Sequence, residues 1–168
     1  TQWQSEAEAE TAAAEILLAS EDGAAGRAYL EGRGLEPHVW QAFRLGYVPD
    51  VPLPGTGGTQ RRPAILMPWT VGGQVAAIRY RFMEKHTYTD RDGREREGIK
   101  QTAKDKSFGE QPMFSGRMFG GLGLAGPVGG KFDLVICEGE INALSIWQVA
   151  HEGRVDVLSL GSESQHIT

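Results

Sequence analysis

In Leu134-Val-Ile-Cys-Glu138-Gly-Glu-Ile-Asn142-Ala-Leu-Ser145 four apolar residues stop at a carboxylate and a glycine, and an amphipathic run follows. Leu134 to Cys137 reads as a short, fully buried strand, and Ile141, Leu144, Trp147 and Ala150 recur at helical spacing after it. A turn of this kind sets Glu138 at the carboxyl end of a strand, the edge at which ligands sit in open α/β sheets. Spacing alone fits equally a plain connection whose two glutamates only favour the helix N-terminus electrostatically. Downstream, Arg154–Leu160 has the composition of another strand, with Gly161-Ser-Glu-Ser164 as its exit loop. Strand, helix and strand in so short a span predict a parallel βαβ unit.

Outward from there, the glycine-rich run 120–130 is the best boundary in the chain, separating a lobe over 1–125 from the βαβ unit over 131–168. The lobe opens with an Ala- and Glu-rich segment, 5–19, predicted as an exposed amphipathic helix on which Ala9, Ala12, Ala13, Ile16 and Leu17 share a side. Its acids read as a solvated face, with partner docking as the alternative. Asp22 suits the N-cap of a second helix reaching Glu31, and Pro37 suits the first turn of a third, with Val39, Trp40 and Phe43 on its apolar face. Residues 49–63, rich in Pro and Gly, read as a loop without the spacing of a phosphate-binding one.

Ala64–Thr70 and Gln74–Met83 then predict a hairpin. Alternation puts Val75, Ala77, Arg79, Arg81 and Met83 on one face of its second strand, and Ile78, Tyr80 and Phe82 on the other. Burying the aromatic face leaves Arg79 and Arg81 side by side on the opposite surface, where guanidinium groups suit a phosphate backbone. An ordinary half-exposed strand with solubilising charges is the competing account. Asp92-Gly93 marks a second, exposed hairpin, followed by Lys100, Lys104 and Lys106 in a segment with little core signal. Together these elements predict an α/β protein: an α+β lobe with helices and a mainly antiparallel sheet, then the start of a parallel βαβ domain.

The net charge of −5 speaks against a nucleic-acid protein only until it is mapped. Glu6, Glu8, Glu10, Glu15, Glu21 and Asp22 lie in the first 22 residues with no Lys or Arg, which leaves 16 acids against 17 bases elsewhere. No apolar run approaches membrane-spanning length and no signal-peptide pattern opens the chain. The single cysteine, Cys137, reads as a buried small hydrophobe, builds neither disulfide nor zinc site, and fits a cytoplasmic protein.

Three segments together resemble the polymerase core of bacterial-type (DnaG-like) primases. Tyr29-Leu-Glu-Gly-Arg33-Gly-Leu, continuing to Phe43-Arg-Leu-Gly-Tyr47, looks like that core's opening. Ala64-Ile-Leu-Met-Pro68 through Gly73-Gln-Val-Ala-Ala-Ile-Arg-Tyr-Arg81 is similar to its central hairpin. Glu138-Gly-Glu-Ile-Asn142, followed by Ser159-Leu-Gly-Ser162, resembles the first half of a Toprim domain, in the form found in phage-type primase–helicases. The resemblance spans roughly residues 27–164 and implies a template-directed polymerase making short RNA primers on single-stranded DNA from ribonucleoside triphosphates. It also implies Mg²⁺ (or Mn²⁺) held by Toprim carboxylates and a replicative helicase as partner, with no zinc in this chain and no membrane.

By position the resemblance makes Glu138 the catalytic, metal-binding glutamate and gives Asn142 the place of a metal-binding aspartate. Gly139 and Gly161 fall at its structural turns. Arg33, Arg79, Arg81, Lys100 and Arg117 become the nucleic-acid-binding bases. Asn142 departs from the family's Asp, and the Asp-x-Asp expected after Ser-Leu-Gly does not follow. The chain therefore reads as a truncated piece, expected neither to hold two Mg²⁺ nor to synthesise primers alone. A nuclease or topoisomerase-like Toprim enzyme and a non-catalytic single-strand-binding module are the alternatives.

Overall fold

A computed structural model describes residues 1–54, 56–71, 73–89, 92–104, 114–115, 133–150 and 155–160. Helix α1 (Gln2–Ala19) opens the chain, and a 3₁₀ turn (Glu21–Gly23) leads into α2 (Ala24–Gly32) and α3 (Pro37–Ala42). Strands β1 (Gly46–Pro52), β2 (Arg61–Val71), β3 (Gln74–Thr89) and β4 (Glu95–Lys104) form an antiparallel sheet in that order. Strand β5 (Phe114–Ser115), β6 (Asp133–Cys137), α4 (Glu140–Ala150) and β7 (Val155–Ser159) complete the described elements. In the second sheet β7 is central, parallel to β6 and antiparallel to β5. The α/β class and the parallel βαβ unit are as the sequence predicts.

The middle of the four-stranded sheet, on β2 and the first half of β3, is buried on both faces. Ala64 and Leu66 of β2 and Ile78, Tyr80 and Phe82 of β3 pack on one side against Ala7 and Ala14 of α1. Ile65, Met67, Trp69 and Ala77 pack on the other with Leu30, Val39, Trp40 and Phe43 of the helical segment and Ala143, Leu144, Trp147 and Val157 of the βαβ unit. A period of two on β2 thus feeds two cores, and the second core continues across the boundary placed at 120–130.

Several expectations change. The buried stripe of α1 is Ala7, Thr11, Ala14 and Leu18, while Ile16 is 72% exposed. The acids of α1 are not merely solvated. Glu8 Oε1 accepts from the Val75 amide at 3.0 Å, Glu10 accepts from the Tyr80 hydroxyl at 2.6 Å, and Glu8 and Glu15 flank Arg44. Asp22 does not cap α2; the N-cap is Gly23, after the 3₁₀ turn. Val75 joins the aromatic face because Trp69 pairs with Ala77 but Thr70 with Val75, so Ala76 is an extra residue that inverts the alternation.

The predicted loop over 49–63 shrinks to 53–60, because β1 reaches Pro52 and β2 begins at Arg61. Strand β1 carries Pro49 and Pro52, which a sheet tolerates only at an edge or a bulge. It is an edge strand, and its register shifts between Val48 and Val51. Lys100 and Lys104 are likewise strand, with Lys100 opposite Arg81 in β4, and Lys106 lies outside the described residues. Strand β6 is not fully buried, since it lies at the edge of its sheet with Ile136 48% exposed.

Small residues on α1 let it lie close against β1. A Cβ on Gly46 would sit 2.4 Å from the Ala14 Cβ and 2.7 Å from its carbonyl carbon. Relief would require moving helix backbone, so Gly46→Ala is expected to cost about 2–3 kcal/mol. Urea denaturation measures it, and a loss under about 0.5 kcal/mol would show that α1 yields without strain.

Candidate nucleic-acid and catalytic site

Strand β6 ends at Cys137, the chain bends through Glu138 and Gly139, and α4 starts at Glu140. Glu138 is exposed, and its carbonyl accepts from the Ser159 hydroxyl at 3.0 Å, which ties the turn to the end of β7. Asn142 is exposed one half-turn into α4. Gly139 has no positive φ, and a Cβ there would come no nearer than 4.0 Å to the Asn142 amide nitrogen and the Lys100 amine. The turn does not require a glycine on steric grounds, but it lies beside the Lys100 ammonium. Cys137 is half-buried, and burial together with the Glu140 charge pushes its thiol up, away from a reactive thiolate.

The carboxylate at the centre of this region is Glu140. It is 1% exposed, and its two oxygens meet Arg79 Nε at 3.1 Å and Lys100 Nζ at 3.2 Å. Lys100 donates a hydrogen bond. Arg79 Nε–H does not point at its oxygen, so that contact is an ion pair without an aligned hydrogen bond. The Arg79 guanidinium also lies 4.8 Å from the centre of the Trp69 ring. Burial pushes the Arg79 guanidinium down and the Glu140 charge opposes this; an arginine stays protonated throughout. A carboxylate this deep persists because two cations and a helix N-terminus compensate it.

Arg79 and Arg81 therefore do not share an open surface. The Arg79 side chain is 14% exposed and turned to Glu140. Arg81 Nε donates to the Tyr29 hydroxyl at 2.9 Å, and the Arg33 guanidinium stands 5.3 Å from the centre of the same ring. Tyr29 thus joins Arg33 of the helical segment to Arg81 of β3. Arg81 in turn faces Lys100 across the β3–β4 ladder. Arg33, Arg81, Lys100 and the Glu138 turn form one connected row. Arg117 and Gly161 lie outside the described residues.

Sequence reasoning misses Glu140, Tyr29, Trp69 and Gln148. Glu140, Ala143, Leu144 and Trp147 are the buried positions of α4, at spacings of three, four and seven. That periodicity places an acid on a buried face and is the available signal. Tyr29 stands four residues before Arg33, a helical neighbour spacing. The Gln148 side chain accepts from the Glu36 amide at 2.8 Å and donates to the Gly34 carbonyl at 3.0 Å, fastening α4 to the α2–α3 turn. A long-range amide clamp of this kind leaves no local pattern.

A divalent cation needs more than this turn offers. Among the described residues no three His, Cys, Asp or Glu side chains converge. Glu140 is committed to two cations, which leaves one exposed carboxylate and one neutral amide. Mg²⁺ keeps several waters and accepts one or two carboxylates, but it takes the rest of its neutralisation from other anionic donors. Glu138 and Asn142 alone are not a metal centre.

The fold is that of primase catalytic cores. The catalytic core of a DnaG primase superposes with a TM-score of 0.63 at 14% identity over 92% of this chain and 53% of that one. The Escherichia coli primase catalytic core gives 0.61 at 16% identity over 94% and 54%. The RNA polymerase domain of Mycobacterium tuberculosis primase DnaG, in complex with double-stranded DNA bearing a 6-nucleotide overhang, gives 0.60 at 17% over 95% and 54%. The chain spans about half the length of these structures. No protein-family model and no curated protein sequence matches it. Among the described residues no helix is long and apolar enough to cross a membrane.

Proposed function

We propose that these residues belong to a DNA primase, a nucleotidyltransferase that builds short RNA primers from ribonucleoside triphosphates on single-stranded DNA. In this reading, residues 1–125 supply the template-binding lobe and 131–168 the first part of a Toprim domain. The observation that carries it is the connected row of Arg33, Arg81 and Lys100 leading to the Glu138 turn. Cations in a row, Arg33 exposed and Arg81 and Lys100 partly so, suit a phosphate backbone. The overhang-bearing DNA bound to the mycobacterial domain fits such a ligand. Arg79 stands apart from this row, held away from solvent by Glu140.

Glu138 would be the carboxylate of this turn that holds Mg²⁺, with donors beyond the turn completing the site. The ion would supply charge neutralisation of the triphosphate during phosphoryl transfer. What the chain's own residues do is narrower. Lys100 and Arg81 hold phosphate oxygens, Tyr29 orients Arg81, and the Ser159 hydroxyl fixes the backbone of the Glu138 turn. A replicative helicase remains the partner the reading implies.

Oligothymidylate binding, followed by fluorescence anisotropy across a salt series, tests the proposal. Arg81→Ala and Arg33→Ala are each expected to weaken binding several-fold and to lower the salt slope by about 0.7 for each phosphate no longer neutralised. Affinity and slope unchanged in both variants would sink it. That no three acidic, His or Cys side chains converge among the described residues favours a second reading, a single-strand-binding module without metal chemistry. The 168 residues alone are expected to make no primers. Primer synthesis by a chain joining them to an Asp-x-Asp strand, abolished by Glu138→Gln, selects the enzyme over the binder.

A further inference from the structure

Glu140 carries no role in the reading above, yet it is the most deeply buried acid described and the only one meeting two cations of the antiparallel sheet among the described residues. A buried carboxylate seldom adds stability over an apolar residue of the same size; its best-attested use is to fix one register of packing. Here the register is that of the βαβ unit on the sheet. Arg79 and Lys100 come from adjacent strands, β3 and β4, and reach opposite oxygens of one carboxyl group. The two contacts triangulate the carboxylate, and Glu138 is two residues away. The backbone between them adds rigidity, because the Ala143 amide donates to the Gly139 carbonyl at 3.1 Å and closes the first helical turn.

We propose that Glu140 is a positioning residue: gripping Lys100 and Arg79 together, it locks the Glu138–Gly139 turn beside the cation row of the sheet. This rests on the primase reading for its purpose but not for its geometry. The Lys100 ammonium lies close to Gly139 because Glu140 holds it there. Gln148 and Trp147 hold the far end of α4, so Glu140 is the anchor at the end where Glu138 sits.

Amide hydrogen exchange and side-chain NMR on the 168-residue chain, with no nucleic acid present, test the lock. In Glu140→Gln, amides at the start of α4 are expected to exchange at least about tenfold faster, while β1–β2 amides stay within about twofold. The Arg79 Nε–H resonance, which the Trp69 ring 4.8 Å from the guanidinium is expected to shift in the parent chain, should move toward a random-coil position. Lys100→Met, which keeps the stem of the side chain and the overall fold, should loosen the same amides. The double variant Glu140→Gln with Lys100→Met should loosen these amides little more than either single variant, because both remove the same contact. Unchanged exchange, or acceleration spread evenly over the sheet, would overturn the proposal, as would fully additive loosening in the double variant. Oligothymidylate binding by the same samples separates the two readings. Local loosening without any DNA binding defeats the primase reading and leaves the lock standing; binding with no loosening does the reverse.

Discussion

Arg79→Ala is expected to lower the unfolding free energy by about 3 kcal/mol, whereas Arg81→Ala, two residues along the same strand, should cost under about 1 kcal/mol. The difference lies in what each side chain leaves behind. Removing Arg79 strips one of two counter-charges from a carboxylate that is 1% exposed and unstacks the Trp69 ring. Removing Arg81 deletes a hydrogen bond to Tyr29 at a half-exposed position, where water replaces it. For a chain of this size the Arg79 loss corresponds to a drop of roughly 6–12 °C in Tm. A double variant, Arg79→Met with Glu140→Leu, should recover much of it, because the orphaned charge goes with its partner. Equal costs for the two single arginine variants would mean that Glu140 is hydrated in solution and the pair is not buried.

Alternation and helical spacing make most of the fold legible. The apolar run Ala64–Thr70 and the alternating run Gln74–Met83, joined by Val71-Gly-Gly73, predict the central hairpin, and the apolar stop at Glu138 predicts the βαβ unit. What is not legible has physical causes. Prolines at 49 and 52 argue against a strand unless the strand is at an edge, and edge status is a property of the whole sheet. The bulge at Ala76 inverts faces with a single extra residue that composition does not mark. On α1 the buried stripe is Ala7, Thr11, Ala14 and Leu18, and its first three residues are small, suited to close approach to the sheet rather than to hydrophobicity. Ile16 is the more apolar choice for a reader of patterns, and it faces water.

The site divides similarly. The primase resemblance singles out Arg33, Arg81 and Lys100, and the structure joins them through Tyr29 and the β3–β4 ladder. Alternation groups Arg79 with Arg81 on one face. That face is covered by the βαβ unit, so the strand pattern holds and the exposure does not. Whether a face of a two-sided sheet is wet depends on elements far along the chain. Glu140 shows the same dependence in reverse: its spacing with Leu144 and Trp147 marks a buried position, but its cationic partners lie 61 and 40 residues earlier.

Trp147→Ala is the second substitution with a large expected effect, about 3–5 kcal/mol, because a fully packed indole leaves a cavity the backbone cannot close. Trp147 is 5% exposed and stands edge-on to Phe43 with ring centres 5.0 Å apart, in the core that the helical segment, the sheet and the βαβ unit share. An edge-to-face pair of this kind adds about 0.5–1.5 kcal/mol beyond its buried area. The loss should also be uneven. Sheet residues such as Phe82 and Leu66 belong to the opposite core under α1 and keep their neighbours, whereas β6, α4 and β7 lose the side chain that seats them. Native-state hydrogen exchange should therefore show amides of α4 and β7 opening at least about a hundredfold more readily, with β2 and β3 much less affected. Uniform loss of protection would instead make the two cores one cooperative unit that unfolds together. A cost below about 1 kcal/mol would mean that the βαβ unit does not rest on Trp147, and the lock at Glu140 would then be its principal hold on the sheet.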